Sequence, residues 1–275
     1  MKEKVLSLGN SSSLIVIVSE PETIEGVERK PAVLFWNAGI LHRVGPYRLY
    51  VDMSRRLAKL GFLAARFDLS GKGDSGPRRD MVPEKERVKR DVQEVMNLVT
   101  INTGIEKFVL IGLCSGADDA FPIAVLDRRV SGLVMLDGFG YRTFNYYVYY
   151  YLPRIYRCYK LESWKKFVVR KYNNYLSRSG RKVDDYIREF PPKKKARADI
   201  LSLIERKVNL LFVYSGTVGE YYNYKGQFVD MFKPIELNEK LQVEYFTEAT
   251  HIYDRLEDRN RLMSCVCDWM QKHYY

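Results

Sequence analysis

Five residues, Gly112-Leu113-Cys114-Ser115-Gly116, follow the apolar run Phe108-Val109-Leu110-Ile111 and set a cysteine midway between two glycines. The run reads as a short buried strand, and Ser115 to Leu126 as a helix after it. Where a chain turns sharply from strand to helix its backbone folds back on itself. Only tiny side chains then fit two positions before and two positions after the apex. Gly112 and Gly116 meet that demand around Cys114, whereas a turn centred on Ser115 would crowd Leu113, which is too large. Cys114 is therefore the candidate nucleophile. It sits at the start of a helix whose positive end favours a thiolate.

The same strand-to-helix step recurs along the chain. Lys4 to Leu8 and Leu14 to Val18 read as a hairpin around Gly9-Asn10-Ser11-Ser12. Strands are then expected at Ala32 to Trp36, Phe62 to Phe67, Phe108 to Ile111, Gly132 to Leu136, Asn209 to Tyr214 and Gln242 to Phe246. Helices are expected at Tyr47 to Leu60, Pro83 to Thr100, Ser115 to Leu126, near Gly226 to Phe232 and from Arg255 to His273. This alternation predicts the α/β class, with a mainly parallel central sheet covered on both faces and an antiparallel hairpin at its N-terminal edge.

About 70 residues separate the Gly132 to Leu136 strand from the Asn209 to Tyr214 strand, far more than a crossover needs. Composition changes there as well. The chain of 275 residues carries a formal charge of +11, and Tyr141 to Asp199 alone holds 16 lysines and arginines against 5 acids, together with 11 of the 21 tyrosines. The expected organisation is a core of residues 1–140 and 206–275 with a helical cap, residues 141–205, inserted before the penultimate strand. Pro153 and Pro191-Pro192 break the cap into pieces.

Four irregularly spaced cysteines in a chain of this size point to reduced thiols. Cys265-Val-Cys267 lacks partners at metal-site spacing and reads as part of the C-terminal helix. The N-terminus shows no basic stretch leading into a long apolar run, and no segment approaches a bilayer span, so the expectation is a soluble, cytoplasmic protein. No metal or organic cofactor is implied, because the glycine-rich turns lack both the dinucleotide fingerprint and the phosphate-loop Lys-Ser pair. A base for Cys114 must come from three histidines, of which His273 is two residues from the end. His42 and His251 remain.

Three motifs in order resemble the α/β-hydrolase superfamily over nearly the whole chain. Phe67-Asp68-Leu69-Ser70-Gly71-Lys72-Gly73-Asp74-Ser75 is similar to the superfamily's Asp-x-x-Gly-x-Gly-x-Ser turn, Gly112 to Gly116 to its nucleophile elbow, and His251 lies between the last strand and the last helix. More narrowly, Asn37 to Pro46 and Gly112-Leu113-Cys114 resemble bacterial hydrolases associated with exosortase and surface-polysaccharide gene clusters.

The resemblance favours His251 as the base over His42. It also exposes a departure: the superfamily commonly places its acid after the strand that corresponds to Asn209 to Tyr214, and Ser215-Gly216-Thr217-Val218 carries no carboxylate. Asp137, ending the Gly132 to Leu136 strand, and Glu220 are the two substitutes, with a Cys-His pair lacking an acid as the third arrangement. The implied oxyanion donors are the backbone N–H of Ser115 and those near Gly39 and Ile40. His42 and Arg43 are candidates for substrate binding or for fixing their own loop. Asp68 reads as a turn former.

The cap supports two readings. Its rings and cations form a pocket for a small-molecule or carrier-bound acyl substrate with an anionic handle, or its tyrosines pack on the sheet and its lysines face water. Lys193-Lys194-Lys195-Ala196-Arg197 is basic but sits in no nucleic-acid-binding module, and none is expected to bind. The expected activity is cleavage or transfer of an acyl group from an ester or thioester through an acyl-enzyme on Cys114. A binding or scaffold protein on the same fold, motivated by the missing acid, and an acyltransferase are the alternatives.

Overall fold

The computed structural model describes residues 1–8, 13–22, 30–80, 82–158 and 188–275. Eight strands, β1 (Lys2–Leu8), β2 (Leu14–Glu20), β3 (Ala32–Phe35), β4 (Ala64–Phe67), β5 (Phe108–Leu113), β6 (Val130–Leu136), β7 (Asn209–Ser215) and β8 (Leu241–Phe246), form one sheet in the order β1-β2-β4-β3-β5-β6-β7-β8. β2 pairs antiparallel with β1 and β4, and every later pairing is parallel.

The inner parallel strands read as largely apolar runs because both of their faces are covered, whereas the edge strand β8 interleaves Gln242 and Glu244. Alternate residues of each strand enter opposite cores. Leu34, Leu110, Leu133, Met135 and Phe212 pack with α2 (Glu84–Thr103), α3 (Ser115–Leu126) and α5 (Lys193–Glu205). Val33, Ile111, Val134, Leu136 and Leu211 pack with α1 (Leu49–Lys59) and α7 (Leu256–Tyr274). Completing the described helices are α4 (Phe144–Cys158) and the short α6 (Gln227–Phe232). The helix expected from Tyr47 starts as α1 at Leu49, because Tyr47 and Arg48 take positive φ angles of 47° and 64° where the preceding loop bends into it.

Between β6 and β7, α5 buries Ala196, Ile200 and Leu203 in the same core as α2 and α3. It is a sheet-packed crossover helix. α4 instead exposes Phe144, Tyr149, Tyr151 and Leu152. Residues 159–187 of the expected cap lie outside the described residues. Among the described residues, no helix is long and apolar enough to cross a membrane.

Candidate active site

Cys114 follows β5 and precedes α3, with φ 56° and ψ −123°. This conformation is unfavourable for a side chain larger than hydrogen and is held by its surroundings. A Cβ on Gly112 would stand 2.3 Å from the Gly116 carbonyl oxygen, and one on Gly116 would stand 2.7 Å from that of Asn37. Both glycines are thus required by backbone contact. The Cys114 N–H donates to Leu136 O at 2.9 Å, stitching the turn to the end of β6, and the Leu113 N–H donates to the buried Tyr50 hydroxyl at 3.1 Å.

The end of β6 supplies the second component. Asp137 is fully buried, with φ 50°, and its N–H donates to Val213 O at 2.8 Å. Its carboxylate accepts from the Ser215 N–H at 2.6 Å, from the Ser215 hydroxyl at 2.7 Å, and faces His251 Nδ1 at 2.8 Å. His251 stands on the loop between β8 and α7, and its N–H donates to the Thr217 hydroxyl at 2.6 Å. A Cβ on Gly216 would come 1.8 Å from the Thr247 carbonyl oxygen, so this glycine lets the histidine loop lie against the end of β7.

The imidazole is coupled to both Asp137 and the Cys114 thiol. The hydrogen bond to Asp137, then the one to Cys114, raises His251 to about 9 against the opposing effect of burial. Burial by itself would push the Cys114 thiol up. The hydrogen bond from His251, the positive charge of Arg188 and the Ser115 backbone N–H outweigh it and bring the thiol below its ordinary value. The arrangement favours a thiolate beside an imidazolium.

No protein-family model matches the chain, and no curated protein is similar to it in sequence. Solved structures do match. A dienelactone hydrolase from Anabaena variabilis superposes with a TM-score of 0.59 at 12% identity, over 99% of this chain and 98% of its own. An α/β-hydrolase from Penicillium sp. sh18 gives 0.58 at 12% identity over 99% and 98% of the two chains. An α/β serine hydrolase without a lid from Xanthomonas campestris gives 0.56 at 15% identity over 98% and 95%.

The fold is that of the α/β-hydrolases. Within it, the sequence candidates separate clearly. Cys114, His251 and Asp137 come together, while Glu220 does not join them: it is exposed, lines a cavity with α4, and its carbonyl accepts from Arg142 Nε at 2.8 Å. The Gly39 N–H donates to the Ser115 hydroxyl at 2.7 Å, so this expected oxyanion donor is already engaged by a side chain, and the Ile40 side chain beside it is fully exposed. The Ser115 N–H favours the Cys114 thiolate. Arg43 is bound through its guanidinium to Asp68 and Asp74, which is the loop-fixing arrangement and not the cleft-facing one. Buried Asp68 also accepts from the Arg43 N–H at 2.7 Å and Asn37 Nδ2 at 3.1 Å, so it anchors the whole turn that carries Gly39. His42 is exposed.

Two cavities lie near these residues. One, of about 790 Å³, is lined by five tyrosines of α4 with Arg142 and Arg154, and reaches Gly216 and Thr217 beneath His251. The other, of about 830 Å³, runs from Ser115 and Arg188 along Phe121 and Pro122 to Phe190 and Pro191. Sequence reasoning passed over Ser215, Thr217, Tyr221 and Arg188. The first two occupy the stretch where an acid was expected, so a search for carboxylates skips them. Arg188 is one cation among many in its segment and carries no signal of its own.

Proposed function

We propose that this chain is a cysteine-dependent α/β-hydrolase that cleaves or transfers an acyl group from an ester or thioester through an acyl-enzyme on Cys114. The observation that carries the reading is the Cys114–His251–Asp137 grouping: Asp137 holds His251 Nδ1 at 2.8 Å, and the imidazole and the Cys114 thiol each move the other's titration toward the ion pair. In this reading the Cys114 thiolate attacks the acyl carbonyl and forms a C–S bond. The tetrahedral intermediate then collapses, and the imidazolium gives its proton to the departing alcohol or thiol. The neutral imidazole next takes a proton from water, or from an acceptor alcohol or amine. That nucleophile displaces the thiolate and regenerates the starting pair. Asp137 holds the ring in the tautomer this cycle needs.

The scaffold alternative was motivated by the missing acid, and the Asp137 carboxylate beside His251 Nδ1 supports the enzyme reading over it. The cysteine elbow and the dienelactone hydrolase among the structural neighbours support a lactone as a narrower substrate, whereas the cavity of tyrosines and arginines supports a bulkier, anionic acyl donor. The resemblance to hydrolases of exosortase and surface-polysaccharide clusters fits such a donor.

The test is intact-protein mass spectrometry after brief incubation with a panel of acyl thioesters, activated esters and lactones. An acyl-sized gain on the wild type, lost in Cys114→Ala and accumulating in His251→Ala, is the expected result. No adduct from any donor, with ordinary alkylation of Cys114 in the folded protein, returns the weight to a binding role.

A further inference from the structure

Cys114 and Asp137 share a backbone peculiarity. Both are non-glycine residues at positive φ, 56° and 50°, at the C-terminal ends of neighbouring strands β5 and β6. Their carbonyl oxygens converge on one nitrogen. Arg188 Nη2 lies 3.2 Å from Cys114 O and 3.1 Å from Asp137 O, its Nε donates to Asp118 Oδ2 at 2.8 Å, and its Nη1 donates to the Tyr221 hydroxyl at 3.1 Å. The Tyr221 hydroxyl donates in turn to Asp137 O at 3.2 Å. The Phe190 and Tyr221 rings lie beside the guanidinium, at 5.0 and 5.8 Å from its carbon. Only 15% of the Arg188 side chain is exposed.

We propose that Arg188 is a positioning residue for the acyl-transfer site, tying the nucleophile's turn to the acid's turn through their carbonyls while its charge favours the Cys114 thiolate. The inference rests on the reading of Cys114 as the nucleophile. Three features carry it. A buried guanidinium with one anionic partner is expensive to hold unless its remaining N–H groups find acceptors, and here Nη1 finds Tyr221 and Nη2 the two turns that must keep strained geometry. Asp118, the anionic partner, lies one turn into α3, so the ion pair also fixes the helix that starts at the nucleophile. And Arg188 belongs to the insertion between β6 and β7, so a segment outside the sheet completes the environment of a residue on it. The charged and titratable groups near the thiol are His251, Arg188, Tyr50 and Tyr221, with Asp137 and Asp118 behind them. Arg188 is the one cation of this set that keeps its charge at every working pH.

The experiment measures the pH dependence of Cys114 alkylation by iodoacetamide, with kcat on a thioester donor, in wild type, Arg188→Met and Arg188→Lys. Arg188→Met is expected to move the thiol titration upward by about one pH unit, so that alkylation at neutral pH slows on the order of tenfold. Arg188→Lys is expected to keep the titration close to wild type and to lower kcat, because an ammonium retains the charge but loses the contacts to Asp118 and Tyr221 together. A wild-type titration in Arg188→Met overturns the proposal. Should that variant fail to fold, Arg188→Lys decides alone: an ordinary thiol titration or an unchanged kcat overturns it. A wild-type Cys114 that already titrates as an ordinary thiol sinks the nucleophile reading itself, which separates the two failures.

Discussion

Among the described free cysteines, burial pushes Cys265 up to about 12 and Cys267 up to about 11, whereas Cys114, also largely buried, is drawn down. Burial alone disfavours any thiolate, so the difference lies in the partners: Cys114 has an imidazole, a guanidinium and a backbone N–H. This fixes the sign of the pH profile. Acylation uses the thiolate and then the imidazolium's proton. Activity should rise through the lowered Cys114 titration and fall as His251 loses its proton near pH 9. Asp137→Asn removes the largest contribution that raises His251. Its alkaline limb is expected to move toward neutrality and its kcat to fall on the order of 10³- to 10⁴-fold. The pH–rate profiles of the two proteins check this. An alkaline limb that stays where the wild type has it would show that Asp137 does not govern the imidazole.

At the scale of elements, the site depends on how closely two loops approach. Gly216, directly after β7, lies against the backbone of Thr247, whose loop carries His251. Gly216→Ala therefore forces the loop outward, since neither partner in the clash is a flexible side chain. A displacement of the imidazole by about 1 Å costs on the order of 100-fold in kcat/KM. The expected outcome is that loss, together with a lower thermal midpoint, while alkylation still reaches Cys114; full activity would show that the loop absorbs the methyl group. Strands and elbow were legible because a doubly covered parallel strand must be an apolar run and a sharp turn must have glycines. The acid was legible only as a choice among Asp137, Glu220 and a Cys-His pair with no acid at all. What sets Asp137, and not Glu220, beside His251 and Ser215 is the parallel register of β6 on β7, and register between strands more than 70 residues apart leaves no mark in the local sequence. Arg43 looked equally suited to substrate and loop, and its partners Asp68 and Asp74 are distant in sequence too.

For the molecule as a whole, the charge distribution makes a prediction about substrate. The +11 excess of the chain equals the excess within Tyr141 to Asp199, so the field is concentrated in the insertion that stands between β6 and β7. Two of its arginines, Arg142 and Arg154, line the tyrosine cavity that reaches Thr217. An anionic acyl donor approaching this region is attracted over about 30 Å at 0.01 M salt and over about 8 Å at 0.15 M. Encounter, and hence kcat/KM, is the quantity that this attraction raises; kcat, read from donor already bound, is not. With an anionic thioester, kcat/KM should fall about tenfold or more between these salt concentrations while kcat holds. A neutral ester of the same acyl group should show a nearly flat response. Replacing both Arg142 and Arg154 by alanine should flatten the anionic donor's response without moving the Cys114 titration, because neither arginine contacts the thiol. Equal salt responses for the two donors would mean that the basic segment faces something other than the acyl substrate, and the tyrosine cavity would then need a neutral occupant.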